Sequence, residues 1–166
     1  MKKIGIGFVG CGNISSIYLK NLTNLTQLDL SFNSISDISS LAACTKLKSL
    51  NIANNSILDV AAVGVMDDLE NFNMANNQVA ALPVFSKNSA LVTIDASYNL
   101  LTDVEALRGM SHLNTVNVDY NAAIESLEPL DSCYVLIQVN AYGTLVTDVT
   151  FLTEKSIVVN YNPTLE

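Results

Sequence analysis

The chain is short of cationic charge, cysteine, histidine and long apolar runs, and each shortage removes a class of function. Only 8 of its 166 residues are Lys or Arg, against 16 Asp or Glu, for a formal net charge of -8. That balance argues against a nucleic-acid backbone or an anionic membrane surface as partner, and acidity of this size signals solubility. The longest apolar stretch, Ile4 to Gly12, falls far below the roughly 18 residues of a membrane span, so no membrane insertion is expected. The three cysteines, Cys11, Cys44 and Cys133, have neither the number nor the close spacing of a disulfide framework or a zinc site and read as free thiols.

Chemistry is equally short of parts. The sole histidine, His112, stands just before a repeating leucine, at a place held elsewhere by Lys46 and Asp68, and reads as a solvated side chain. Without it no Ser/His/Asp or Cys/His arrangement can be assembled, so no catalytic residue is expected. Asp67-Asp68 and the Asp29/Asp95 pair lack the alternating oxygen ligands and glycine turn of a calcium loop. Neither a metal nor a cofactor is expected.

What is present is a repeat. With 49% hydrophobic residues the chain can bury one well-formed core, and Asn33, Asn55, Asn77, Asn99 and Asn121 follow one another at intervals of 22. Each lies five and three residues after an apolar pair: Leu28/Leu30, Leu50/Ile52, Phe72/Met74, Ile94/Ala96 and Val116/Val118. Further apolar columns run in phase, among them Leu25, Leu47, Leu69, Leu91 and Leu113, and then Ile35, Ile57, Val79 and Leu101. Two more columns follow, Ile38, Val60, Leu82 and Val104, then Leu41, Val63, Phe85 and Leu107. The fifth unit carries one extra residue, so the sixth centres on Thr144. The last unit is shortened, with Ile157, Val159 and Asn162 in the expected places and Pro163 after them, as a terminal cap.

Period and residue type predict the architecture. Alternation around each apolar pair describes a short strand with two inward side chains, and stacked units give a parallel sheet. Apolar residues at spacing three, such as Ile35, Ile38 and Leu41, suit a 3₁₀-like or irregular arc on the convex side. Asp37, Asp59, Asp103 and Asp148 fit as caps at the start of that arc. The amide ladder of Asn33, Asn55, Asn77, Asn99 and Asn121, continued by Thr144 and Asn162, is expected to pair main-chain groups of adjacent turns. Cys44 and Cys133 share one apolar column about four rungs apart. At about 4.8 Å per rung they lie about 19 Å apart, beyond disulfide reach.

Runs such as Leu25-Thr-Gln-Leu-Asp-Leu-Ser-Phe-Asn-Ser-Ile-Ser-Asp-Ile-Ser-Ser-Leu41 resemble the bacterial internalin-type leucine-rich repeats, and the resemblance covers about residues 19 to 166. It implies an α/β repeat fold: a right-handed leucine-rich-repeat solenoid with a parallel concave sheet and 3₁₀ or irregular convex arcs. It also implies a protein- or glycan-binding chain, usually outside the cell, secreted or at the surface; a cytoplasmic location is the alternative. The departures are Thr144 in the ladder, the polar Asn88 in the column of Leu22, Cys44, Met66 and Met110, and the N-terminus.

Residues 1–21 admit three readings. Ile4-Gly-Ile-Gly-Phe-Val-Gly-Cys-Gly-Asn-Ile-Ser resembles the first strand and glycine turn of a Rossmann dehydrogenase of the glucose-fructose oxidoreductase-like family, with Gly10 and Gly12 as the first two glycines and Ser15 at the third. That would imply an NAD(P)-dependent oxidoreductase fragment, yet no alternating strand and helix pattern follows. Phe8 to Cys11 after Lys2-Lys3 approximates a lipoprotein signal with too short an apolar run. In the third reading Ile6, Phe8 and Cys11 stand 22 residues before Leu28, Leu30 and Asn33, giving an N-terminal strand and helical cap ahead of the repeat domain at 22–166. The third reading fits the repeat best.

The outward positions of the strands form the candidate site. One column reads Asp29, Asn51, Asn73, Asp95, Asn117 and Asn140; the next ends in Asp119 and Tyr142; a third holds Phe32, Tyr98, Tyr120 and Tyr161. None of these columns contains Lys or Arg. Small polar groups with interspersed tyrosines are the chemistry of recognition surfaces. The expected function is a non-catalytic, monomeric module that binds a protein or a glycan on this face, with a structural spacer as the alternative.

Overall fold

The structure is a computed structural model, and it describes residues 23–86 and 89–162. The proposals for the dehydrogenase-like turn, the lipoprotein signal and the N-terminal strand and cap, together with Asn88 and Pro163, lie outside the described residues.

The described residues form seven strands, β1 (Gln27–Asp29), β2 (Ser49–Asn51), β3 (Asn71–Asn73), β4 (Thr93–Asp95), β5 (Thr115–Asn117), β6 (Gln138–Ala141) and β7 (Val158–Tyr161). They pair in chain order into one parallel sheet. Register follows the repeat: Leu28 faces Leu50, Leu50 faces Phe72, Phe72 faces Ile94 and Ile94 faces Val116. The extra residue lies between Asn121 and β6, so Val116 pairs with Val139 and in-phase stacking resumes.

Between strands the chain returns through short arcs. Four are 3₁₀ turns, at Ser39–Ala43, Ala61–Val65, Glu105–Leu107 and Glu128–Ser132, and one is a single α turn, α1, at Thr150–Thr153. Each opens on an Asx or Ser turn. Asp37 Oδ1 accepts from Ser39 N at 2.8 Å, Asp59 from Ala61 N at 2.7 Å, Asp103 from Glu105 N at 2.9 Å and Asp148 from Thr150 N at 2.9 Å. In the fifth unit Ser126 Oγ takes this part, accepting from Glu128 N at 3.1 Å. Among its described residues the third unit has no helical arc. There Ala81 stands where the others have Asp or Ser, and Pro83 has no N–H to be capped and biases Leu82 toward extended backbone. Leu82 and Phe85 accordingly pack against the core only partly buried.

The core is the sum of the inward columns. Leu28, Leu50, Phe72, Ile94, Val116 and Val139 are buried, as are Leu30, Ile52, Met74, Ala96, Val118 and Ala141 one step along the strand. Burying each Leu, Ile or Phe side chain stabilises by about 1.5–3 kcal/mol, and the 22-residue spacing lets every one touch its equivalents above and below. Cys44 and Cys133 are free and buried, and burial raises both thiols above their ordinary range, which makes them unreactive.

The ladder asparagines tie successive rungs. Asn77 Nδ2 donates to Ile52 O of the previous rung at 3.0 Å and to Met74 O of its own at 3.0 Å, while Asn77 Oδ1 accepts from Ile57 N at 3.0 Å. Asn55, Asn99 and Asn121 repeat the pattern onto Leu30 O, Met74 O and Ala96 O of the preceding rungs. Asn33 donates to Leu30 O and Ser31 O. Thr144 donates to Ala141 O at 2.7 Å, a bond within its own rung, because a hydroxyl on Cβ is shorter than a carboxamide.

The last rung corrects the sequence register. Val159 pairs with Val139 and Tyr161 with Ala141, so Tyr161 takes an inward place and packs against the core. Asn162 is exposed, two positions short of the ladder place. Counting from Asn162 fails here because the segment that would fix the phase is missing, and strand pairing sets it instead.

Candidate functional site

The face opposite the core is built by residues that follow each inward strand position. Asp29, Asn51, Asn73, Asp95 and Asn117 close their strands: each Oδ1 accepts the N–H two residues on, at Ser31, Ala53, Ala75, Ser97 and Asp119, over 2.9–3.1 Å. The side chain thus satisfies the N–H that turns away from the sheet where the strand stops. This column is therefore part of the backbone framework as well as of the open face, a role that outward polarity alone did not reveal. Asn140 differs, accepting from Gln138 Nε2 at 3.1 Å and Asn160 Nδ2 at 2.8 Å.

The next turn places the aromatic residues. Phe32, Asn54, Asn76, Tyr98 and Tyr120 all have φ between 53° and 58°, and Gly143 follows at 67°. A left-handed residue precedes the ladder residue in every one of these rungs, and this aims its side chain along a ridge at the strand ends. Neighbours on the ridge interact: Asn76 Nδ2 donates to Asn54 Oδ1 at 2.8 Å, and the Tyr98 and Tyr120 rings stack at 4.4 Å between centroids with 18° between planes. Both rings are about half exposed, and Phe32 is 80% exposed. Tyr142 sits one column over, with its N–H donating to Asp119 Oδ1 at 2.6 Å.

Between ridge and strand starts runs a shallow groove of about 400 Å³, lined by Asn51, Asn73, Asp95, Asn117 and Asn140 together with Ser49, Asn71, Thr93 and Thr115. The latter four belong to a column that the sequence reading left out of the site. Strand alternation would have found it, since it lies two residues before the Asp29 column.

Electrostatics on this face are set by carboxylates. Burial and the charge of Asp95 raise the Asp119 carboxyl above its ordinary range, against the pull of the Tyr142 N–H. Asp29 is also raised by burial, but bonds from the Ser31 hydroxyl and N–H and from Asn51 outweigh it and hold the group below that range. Among the described residues the ion pairs lie elsewhere: Lys48 with Glu70, Arg108 with Glu105 and Glu128, and Lys155 with Asp131. His112 is exposed, with Nδ1 3.3 Å from Ser89 O. Among the described residues no cluster of three or more His, Cys, Asp or Glu could hold a metal, and no helix is long and apolar enough to cross a membrane.

In-phase parallel rungs, an asparagine ladder and short convex arcs define a right-handed leucine-rich-repeat solenoid. A family model for leucine-rich repeats (2 copies) matches residues 23–64. Among solved structures the chain is similar to internalin C2 of Listeria monocytogenes, with 27% identity and a TM-score of 0.80 over 87% of this chain and 64% of that one. It is also similar to the internalin InlF of L. monocytogenes, with 23% identity and a TM-score of 0.64 over 87% of this chain and 50% of that one. A third similarity is to the functional domain of InlJ from L. monocytogenes, with 20% identity and a TM-score of 0.75 over 89% of this chain and 33% of that one. The chain thus spans less than two thirds of each of these structures. Among curated protein sequences, none matches. The fold is internalin-like, and leucine-rich-repeat folds of this kind generally bind proteins.

Proposed function

We propose that this chain is a non-catalytic protein-binding module whose contact surface is the open strand face, centred on Tyr98 and Tyr120. The observation that carries the reading is the stacked, half-exposed pair. Rigid aromatic area held by the backbone, beside carboxamides that can adapt their hydrogen bonds, is what recognition surfaces use. Seven strands with roughly four outward residues each match the 20–30 residues a side of a standard interface. The stacking favours a protein over a glycan, because sugars dock on ring faces, and here each ring presents one face to the other. By its likeness to the internalins the chain works outside the cytoplasm, secreted or at a cell surface. The spacer alternative predicts no partner at all.

Affinity capture separates these readings. Wild-type chain and the His112→Ala/Lys46→Ala variant, altered away from the strand face, are expected to retain the same partner, while Tyr98→Ala/Tyr120→Ala loses it with an unchanged far-ultraviolet circular dichroism spectrum. Retention by the tyrosine variant and loss by the His112/Lys46 variant would sink the strand-face reading.

A further inference from the structure

The groove on the open face holds one charged lining residue, Asp95, among hydroxyls and carboxamides. Both bonds from Ser97, through N and Oγ, fall on Asp95 Oδ1, which leaves Oδ2 for a ligand. Asp119 stands on the next rung in the adjoining column, close enough to feel the Asp95 charge. No Lys or Arg occupies the outward strand columns, and the ion pairs among the described residues involve neither carboxylate. Three rungs away, at the first rung of the Asp95 column, Asp29 is an exposed carboxylate three residues before the exposed Phe32. Three rungs span about 14 Å, and an extended chain rising about 3.3 Å per residue covers that distance in about four residues. Residues four apart on an extended chain point to the same side.

We propose, building on the strand-face reading above, that the partner docks through an extended basic segment running across the strands, with one arginine or lysine on Asp95 and Asp119 and a second, four residues away, on Asp29. Charge complementarity selects a basic partner over a neutral or acidic one, and the 22-residue period of the solenoid sets the spacing of its two cations. The neutral groups of Asn51 and Asn73 between the two sites meet the intervening backbone.

The test is an NMR titration of the isotope-labelled full chain with end-blocked peptides of equal length. One carries two arginines four residues apart, one carries them three apart, and one has glutamate in place of both arginines. The four-apart peptide is expected to shift the signals of Asp29, Asp95, Ser97 and Asp119, to weaken with salt, and to bind more tightly than the other two. Asp95→Asn/Asp119→Asn is expected to weaken it roughly tenfold or more. This variant keeps the framework, since Asn51, Asn73 and Asn117 already make the turn that Asp95 makes, and an asparagine at 119 can still accept the Tyr142 N–H. Equal binding of the glutamate peptide at these residues would overturn the basic-segment proposal while leaving the strand-face reading intact. Shifts spread evenly over the convex Asp37, Asp59 and Asp103 would overturn the proposal as diffuse charge attraction. If no peptide moved any strand-face signal, the basic-segment proposal would be overturned, whereas the strand-face reading stands or falls on the affinity capture with Tyr98→Ala/Tyr120→Ala.

Discussion

Tyr120 lies against Gly143: a Cβ on that glycine would stand 2.8 Å from Tyr120 Cδ1. The ridge position that is Tyr in the fourth and fifth rungs is glycine in the sixth, and the missing side chain gives the Tyr120 ring its place beside Tyr98. The stack is thus ended by a vacancy in the sequence as much as it is made by two aromatics.

Gly143→Ala is expected to destabilise the chain by two separable effects. The left-handed backbone at φ 67° costs an alanine about 1–2 kcal/mol, and the added methyl displaces the Tyr120 ring. In a Tyr120→Ala background the ring part should vanish, leaving the left-handed strain and the 3.3 Å approach of the new methyl to the Cα of residue 120. Urea melts of the four chains in that cycle, with near-ultraviolet circular dichroism to report the tyrosine pair, check this. Equal costs in the two backgrounds would show that the ring does not depend on the glycine.

The ladder predicts a graded series. Asn121 is fully buried and serves four main-chain groups, donating to Ala96 O, Val118 O and Asp119 O and accepting from Leu101 N. Asn121→Ala strands buried groups and should cost about 1–3 kcal/mol for each one left without a partner. Thr144 makes one short bond, to Ala141 O, and a long one from Val146 N at 3.4 Å, so Thr144→Ala should cost no more than about 1.5 kcal/mol. Denaturant midpoints for both variants decide it: a Thr144 variant as damaged as the Asn121 variant would mean that bridging between rungs adds little.

Most of this architecture is legible because one period controls everything. Once Asn33 to Asn121 fix the phase, each inward and outward column follows by counting, and Tyr98 and Tyr120 fall on one ridge. Counting fails where the period breaks. Tyr161 looks outward by its distance from Asn162, yet the shortened final unit lets β7 pair so that Tyr161 meets Ala141. The missing third arc could have been read from Ala81 and Pro83, since the arc needs an acceptor at one place and an N–H at the other. The double duty of Asn51, Asn73 and Asn117 could not, because a polar outward side chain looks the same whether it serves its own backbone or a partner. Stacking of Tyr98 on Tyr120 also lies beyond a count, since it depends on ring orientation.

Acid titration should separate two aspartates of opposite sign. Asp119 is raised in the folded chain, by burial first and by Asp95, so its ionised form is disfavoured there. A raised folded pKa means that the cost is present in full above that value and disappears as pH falls through it and below the unfolded value. Asp119→Asn, which can still accept the Tyr142 N–H, should therefore raise the melting temperature at pH 7 and lose that advantage as the pH drops through the carboxylate range. Asp148 is lowered by the N–H and the hydroxyl of Thr150. Its contribution is present above the unfolded pKa and is lost as pH falls through the folded value. Asp148→Ala should accordingly lower the melting temperature at pH 7, with the deficit shrinking in acid. Melts of wild type and both variants from pH 7 down to about pH 3, below the ordinary aspartate range, should give two differences of opposite sign that both narrow toward zero. A gain for Asp119→Asn that persists undiminished in acid would show that its carboxylate carries no electrostatic cost, and would remove the support that Asp119 lends to a cation-seeking face.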